Sequence, residues 1–158
     1  LEIDYILHCL NWLKKNENYV PDFVTRLQAT SPLQLTGDID KSINVLIRNK
    51  KATSSMVVAE SVQSPDKAMK YQINGKYLRP YIGNSNIPQV VNRQKLVTSY
   101  HRANIITTPT KQLLKHNEQV GNKSIAIEIP QIRSIDINNE LDLFIAEQIA
   151  NKYKLCSD

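Results

Sequence analysis

Phe23-Val24-Thr25-Arg26-Leu27-Gln28-Ala29-Thr30-Ser31-Pro32-Leu33 runs from a short β-rich segment into a polar phrase. A second polar phrase, Arg133-Ser134-Ile135-Asp136-Ile137-Asn138-Asn139-Glu140-Leu141-Asp142, stands far downstream. Phe, Val and Thr favour a pleated backbone, and Thr-Ser-Pro ends one, so each phrase falls where a strand stops and a helix starts. In an open α/β sheet, ligands bind outside the carboxyl ends of the strands, so two polar phrases at two such ends are expected to converge on one pocket.

Working outward, Leu1 to about Lys15 reads as an amphipathic helix with Ile3, Ile6, Leu10 and Leu13 on one stripe, broken by Pro21-Asp22. After the first polar phrase, Gly37-Asp38 opens a second helix in which Ile39, Ile43, Leu46 and Ile47 keep helical spacing. Ser54 to Glu60, with Met56-Val57-Val58, is the next strand. Two alternating runs on either side of Asn74-Gly75 predict a hairpin, because both residues tolerate the positive φ of a type I′ turn. A polar loop from Gly83 to about Gln94 follows, then a strand over Ala103 to Thr107 and a short helix with Pro109 in its first turn. Ser124 to Ile129 alternates as the last strand. A closing helix from about Asn139 to Tyr153 is expected to turn Leu141, Phe144, Ile145 and Ile149 inward. Helices alternating with strands predict one α/β domain over residues 1–158, a mostly parallel sheet with helices on both faces, and an inserted hairpin and loop over 64–95.

The 158 residues suffice for one real core, and no apolar run approaches the ~20 residues that span a bilayer. With no leader-like opening, the expected location is the cytoplasm. The net charge of +5 is spread along the chain apart from Arg48-Asn49-Lys50-Lys51, which ends a predicted helix where basic side chains complement the dipole. That charge suits anionic small molecules, and no nucleic-acid partner is expected. Cys9 and Cys156 lack metal-ligand spacing; Cys9 reads as a small buried hydrophobe and Cys156 as a tail thiol. His8, His101 and His116 have no nucleophile or carboxylate at a telling spacing. The chain has four glycines and no Gly-x-Gly-x-x-Gly or Walker pattern, so the usual phosphate-cradling loop of nucleotide-binding α/β folds is missing from it.

The polar phrases carry the chemistry. Gln28 offers a donor and an acceptor to a sugar hydroxyl or carboxylate, with the Thr30 and Ser31 hydroxyls beside it, although Thr-Ser-Pro also serves as an ordinary strand-to-helix turn. Asp136 is placed to hold Mg²⁺ against nucleotide phosphates, or to cap the helix that follows.

Together the phrases resemble the acylneuraminate cytidylyltransferase family, which activates acidic sugars as CMP conjugates. The family carries Leu-Gln-x-Thr-Ser-Pro-Leu-Arg and then a helix opening near Asp-Ile-Asp; this chain has Leu27 to Leu33 and Asp38-Ile39-Asp40 in step, with Gln34 for the Arg. The family's Ser-Ile/Val-Asp-Ile-Asp-x-Glu-Leu-Asp, whose alternate aspartates bind metal, is matched by Asp136, with Asn138 in the second place. Ser64-Pro65-Asp66-Lys67 resembles a His-Pro-x-Lys phrase, and Arg93-Gln94 an Arg-Gln phrase. The family's Asn-Gly-x-Ile-Tyr corresponds to Ala103-Asn104-Ile105-Ile106-Thr107. The likeness covers essentially the whole chain but only the later part of the family's fold, its Gly- and Arg-rich CTP loop lying before Leu1. It implies a nucleotide-diphospho-sugar transferase-like fold, CTP and an acidic sugar as substrates, and Mg²⁺ on Asp136 and Asn138. Gln28, Lys67 and Arg93 would hold the sugar acid, and the hairpin would be the arm of a homodimer.

Overall fold

The computed structural model describes residues 2–61, 71–74, 76–80 and 98–155. Helix α1 (Glu2–Asn16) leads to strand β1 (Phe23–Leu27), helix α2 (Thr36–Arg48) and strand β2 (Ser54–Glu60). Strands β3 (Tyr71–Asn74) and β4 (Tyr77–Pro80) come next, then β5 (Tyr100–Pro109), helix α3 (Thr110–His116), β6 (Ser124–Glu128), a 3₁₀ turn (Gln131–Arg133) and helix α4 (Glu140–Tyr153). The chain divides into two compact units, 1–59 with 102–158, and 60–101.

In the first unit the strands form one four-stranded sheet in the order β1-β5-β2-β6. The sheet is mixed: β1 pairs antiparallel with β5, from Phe23 opposite Pro109 to Leu27 opposite Ile105, and β2 pairs parallel with β6, Ser54 opposite Ser124. The observed β5 is longer than the predicted strand, because Tyr100, His101 and Arg102 extend it at one end and Thr108 and Pro109 at the other.

Apolar side chains gather in two clusters. Val57, Ala59, Ala103, Ile105 and Ile129 form one, with Ile39 of α2 packed against it. Ile6 and Leu10 of α1 form the other with Leu113 of α3, and Val24 of β1 joins them. The stripe read from the α1 sequence is thus the face that packs. Beside Ile39, α2 also meets the sheet through small hydroxylic contacts. Ser42 Oγ donates to the Ile39 carbonyl (2.7 Å) and lies 2.6 Å from Thr107 Oγ1, which lies 2.9 Å from Thr25 Oγ1. Since Ser42 spends its proton on Ile39, Thr107 donates to Ser42 and Thr25 to Thr107, so this seam is a directed chain of satisfied hydroxyls.

Three expectations change in this unit. Leu141 and Phe144 of α4 are 65% and 58% exposed, and Ala146 is the residue of that helix that is buried. Periodicity identified an apolar face on α4, but α4 packs through its small residue. Cys9 is exposed, one residue off the Ile6–Leu10 stripe and so turned about 100° from Leu10. Pro109 is the N-cap of α3 rather than its first turn, with ψ of 129° placing it outside the helix.

In the second unit β3 and β4 pair antiparallel, with Asn74 opposite Tyr77. Asn74 is therefore the last paired residue of β3, not a turn residue. Ser61 donates its N–H to the Ser99 carbonyl (2.8 Å), and its hydroxyl lies 3.2 Å from His101 Nδ1. The remainder of the predicted insert, including Lys67 and Arg93, lies outside the described residues.

Candidate functional site

Where β1 leaves the sheet after Leu27, the Ser31 N–H donates to the Gln28 carbonyl (3.1 Å) and closes a tight turn over Ala29 and Thr30. The segment after the 3₁₀ turn returns to this spot. The Ile137 N–H donates to the Thr30 carbonyl at 2.8 Å, fastening the two polar phrases together by their backbones. Their side chains then meet. Thr30 Oγ1 donates to Asp136 Oδ1 at 2.6 Å across 106 residues of sequence, and Ser31 Oγ approaches the same oxygen at 3.4 Å. Asn138 Nδ2 donates to Asp136 Oδ2 (3.3 Å) and to the Asp136 carbonyl (3.2 Å).

A third strand contributes. Asn104 of β5 sits one residue beyond the last β1 pair, at Ile105, and its backbone is left-handed with φ of 63°. Glycine takes that conformation without penalty, and among other residues Asn tolerates it best. Asn104 is 6% exposed, and its Nδ2 donates to Ser31 Oγ at 2.8 Å. Gln34 steadies the same stretch by donating from Nε2 to the Ala103 carbonyl (3.2 Å).

The electrostatic result is an ionised carboxylate. The Thr30 hydroxyl does most to hold the Asp136 carboxyl below its ordinary value of 3.8; partial burial opposes it, and Asn138, Ser31 and Asn104 add smaller lowering contributions. A carboxylate held this low is a weak base at neutral pH, so Asp136 is suited to holding positive charge rather than to abstracting protons.

Asp142 of the same phrase and Asp38 of α2 have structural partners. Asn139 caps α4 by accepting from the Asp142 N–H (3.1 Å), and Asp142 accepts from the Asn138 N–H (3.0 Å). Asp38, at the start of α2, accepts from the Leu35 N–H (3.3 Å) and from both terminal nitrogens of the Arg133 guanidinium, Nη2 at 3.3 Å on Oδ1 and Nη1 on Oδ2. This ion pair anchors the 3₁₀ turn that delivers Asp136. Gln28 is half-buried, and its Oε1 is buried without a partner.

Among the described residues no three or more His, Cys, Asp or Glu come together as a metal cluster. The oxygens available to a cation are those of Asp136 and Asn138. Thr30 and Ser31 occupy Asp136 Oδ1, while Oδ2 carries one bond and keeps a lone pair. Asn138 presents its amide nitrogen, so its oxygen would have to turn toward the carboxylate to become a ligand. A concavity of about 610 Å³ opens at the other end of β1, lined by Phe23, Leu46, Ala52, Pro109 and Thr110, and none of the cluster's residues lines it.

Of the predicted site residues, the structure joins Asp136 to Asn138 and to the Thr30–Ser31 pair beside Gln28; Lys67 and Arg93 lie outside the described residues. Asn104 was not anticipated. The signal was available in Ala103-Asn104, which stands where the resembled family has Asn-Gly, since Asn is the residue that replaces Gly most cheaply in a left-handed backbone. Comparison of the chain with family models and with curated proteins gives no match.

Proposed function

We propose that this chain serves cytidylyl transfer, in which the anomeric hydroxyl of an acidic, sialic-acid-like sugar attacks the α-phosphate of CTP. The new P–O bond gives the CMP-sugar, and the bond to the β-phosphate breaks to release pyrophosphate. The observation that carries this reading is the 2.6 Å bond from Thr30 to Asp136, which brings the two resembling phrases to one point.

In this reading Gln28, Lys67 and Arg93 hold the sugar acid, the last two as a point charge and a planar fork for its carboxylate. Asp136 and Asn138 would hold Mg²⁺, which would offset negative charge on the nucleotide phosphates. Asp136 is ready for that part because its neighbours keep it charged. The insert over 64–95 is the arm of a homodimer, and the protein works in the cytoplasm; no helix among the described residues is long and apolar enough to cross a membrane. Helices on both faces of a nucleotide-diphospho-sugar transferase-like sheet are supported by the alternation of β1, whose Val24 joins the α1 cluster while Thr25 bonds through Thr107 to Ser42 of α2. Nucleic acid is not a partner in this reading.

The 158 residues carry no Gly-rich phosphate cradle, so by themselves they are expected to bind the sugar acid and release no pyrophosphate. Joined behind a Gly-rich strand-loop-helix of the resembled family, they are expected to release pyrophosphate from CTP and N-acetylneuraminate with Mg²⁺, and Asp136→Asn should abolish the release. Turnover indifferent to Asp136→Asn would overturn the assignment. The Asn138 amide favours a second reading, a non-catalytic sugar-acid-binding or dimerisation remnant, because it donates to Asp136 where a second carboxylate is expected. A joined protein that binds the sugar acid as a dimer without turnover would select that reading.

A further inference from the structure

We propose that Asn104 is the positioning residue of the cluster, fixing the direction in which the Ser31 hydroxyl donates and thereby holding Asp136 and its loop against the Thr30 turn. A serine hydroxyl has one proton and can point it at any acceptor in reach. Here the choice is removed. Asn104 Nδ2 donates into Ser31 Oγ at 2.8 Å, so a Ser31 lone pair is committed on that side and the proton is left for Asp136 Oδ1 at 3.4 Å. Asn104 can act as a fixed donor because it is 6% exposed and its backbone is anchored on both sides, by Gln34 on the Ala103 carbonyl and by the pairing of Ile105 with Leu27.

The left-handed backbone makes the position selective. Glycine would satisfy φ of 63° but bring no amide, and most other side chains would strain the backbone. Asn meets both demands. The relay therefore runs one way, from Asn104 to Ser31 to Asp136, with both hydroxyls on Oδ1 and the Asn138 amide on Oδ2.

The inference takes Asp136 as the working group of the reading above, but its test needs no turnover, so either can fail while the other stands. The readout is amide hydrogen exchange at Ile137, whose N–H bond to the Thr30 carbonyl reports closure of the loop. Asn104→Gly keeps the backbone conformation and deletes the donor; Ser31→Ala deletes the relay. Each is expected to lower Ile137 protection about 3- to 10-fold, the range set by one net hydrogen bond, with amides of β2 unchanged. The double variant should lose no more than the larger single loss, and Ser31→Thr, which restores a hydroxyl, should recover most of it. Independent, multiplying losses in the double variant, or Ile137 protection unmoved by Asn104→Gly, would overturn the proposal. Should Ser31→Ala fail to fold, the Asn104 side-chain amide protons of the wild type still decide it: one must exchange slowly, and two that exchange at solvent rate would refute the bond.

Discussion

Asp38 and Asp136 are two carboxylates delivered by neighbouring stretches of chain and treated in opposite ways. Asp38 is 2% exposed and its charge is matched by the Arg133 guanidinium, which grips both oxygens. Asp136 is half-buried and, among the described residues, is held by hydroxyls and side-chain amides. A charge balanced by an opposite charge has no attraction left for a ligand and serves as a strut. A charge solvated by neutral dipoles keeps its full negative sign and is available for a cation or a polarised substrate. The strut also sets the position of the available charge, because Arg133 begins the segment that carries Asp136.

The comparison breaks first on stability. Arg133→Met leaves the buried Asp38 carboxylate without its partner, and removing one side of such a pair costs about 3–5 kcal/mol. Asp136→Asn, at a half-buried site with neutral neighbours, should cost no more than about 1 kcal/mol. Urea unfolding of the two variants measures both. Equal losses would erase the distinction between strut and working charge.

Cation binding sharpens it. Asn138→Asp replaces the amide donor beside Asp136 with a second carboxylate, and one added charge at hydrogen-bond range should tighten Mn²⁺ binding, a stand-in for Mg²⁺, by about tenfold or more. Titration of the free Mn²⁺ resonance signal reports the change. Asp136→Asn in that background should remove the gain. If Asn138→Asp binds Mn²⁺ no better than the parent chain, Asp136 is not where the cation sits.

How far the sequence reached differs with the kind of signal. The β1 and β2 boundaries were legible because β-rich runs there end at proline and polar residues, which are local causes. The α1 stripe was legible for the same reason. The packing face of α4 was not, since Leu141, Phe144 and Ile145 have the spacing of a core face, yet Ala146 is the residue that tertiary packing buries. At the candidate site, Gln28 and Asp136 stood out as polar residues at strand and helix ends, and Asn138 through the resemblance alone. The Asp38–Arg133 pair did not, because Asp38 reads equally well as an ordinary acidic residue in a first helical turn. Asn104 lay inside a β-rich run, where the one signal of its left-handed φ was its place at a glycine of the resembled family, and its bond to a serine 73 positions away belongs to the folded chain alone.

The smallest effect is the pH response of Asp136 itself. Its folded-state value lies below the unfolded 3.8, chiefly through Thr30, so its contribution to stability is fully present above about pH 4 and is lost as the pH falls through the folded value. Thr30→Val removes the largest lowering contact, so the folded value rises toward the unfolded one and the acid-sensitive share of stability shrinks. Wild type and variant should therefore differ most above about pH 4 and converge toward pH 2, with a gap kept under about 1 kcal/mol because water screens the exposed side of the carboxylate. Unfolding free energies measured from pH 2 to 7 test this. A gap that persists unchanged at the acid end would mean that Thr30 acts through its packing and not through the charge on Asp136, and the contrast with Asp38 would then rest on burial alone.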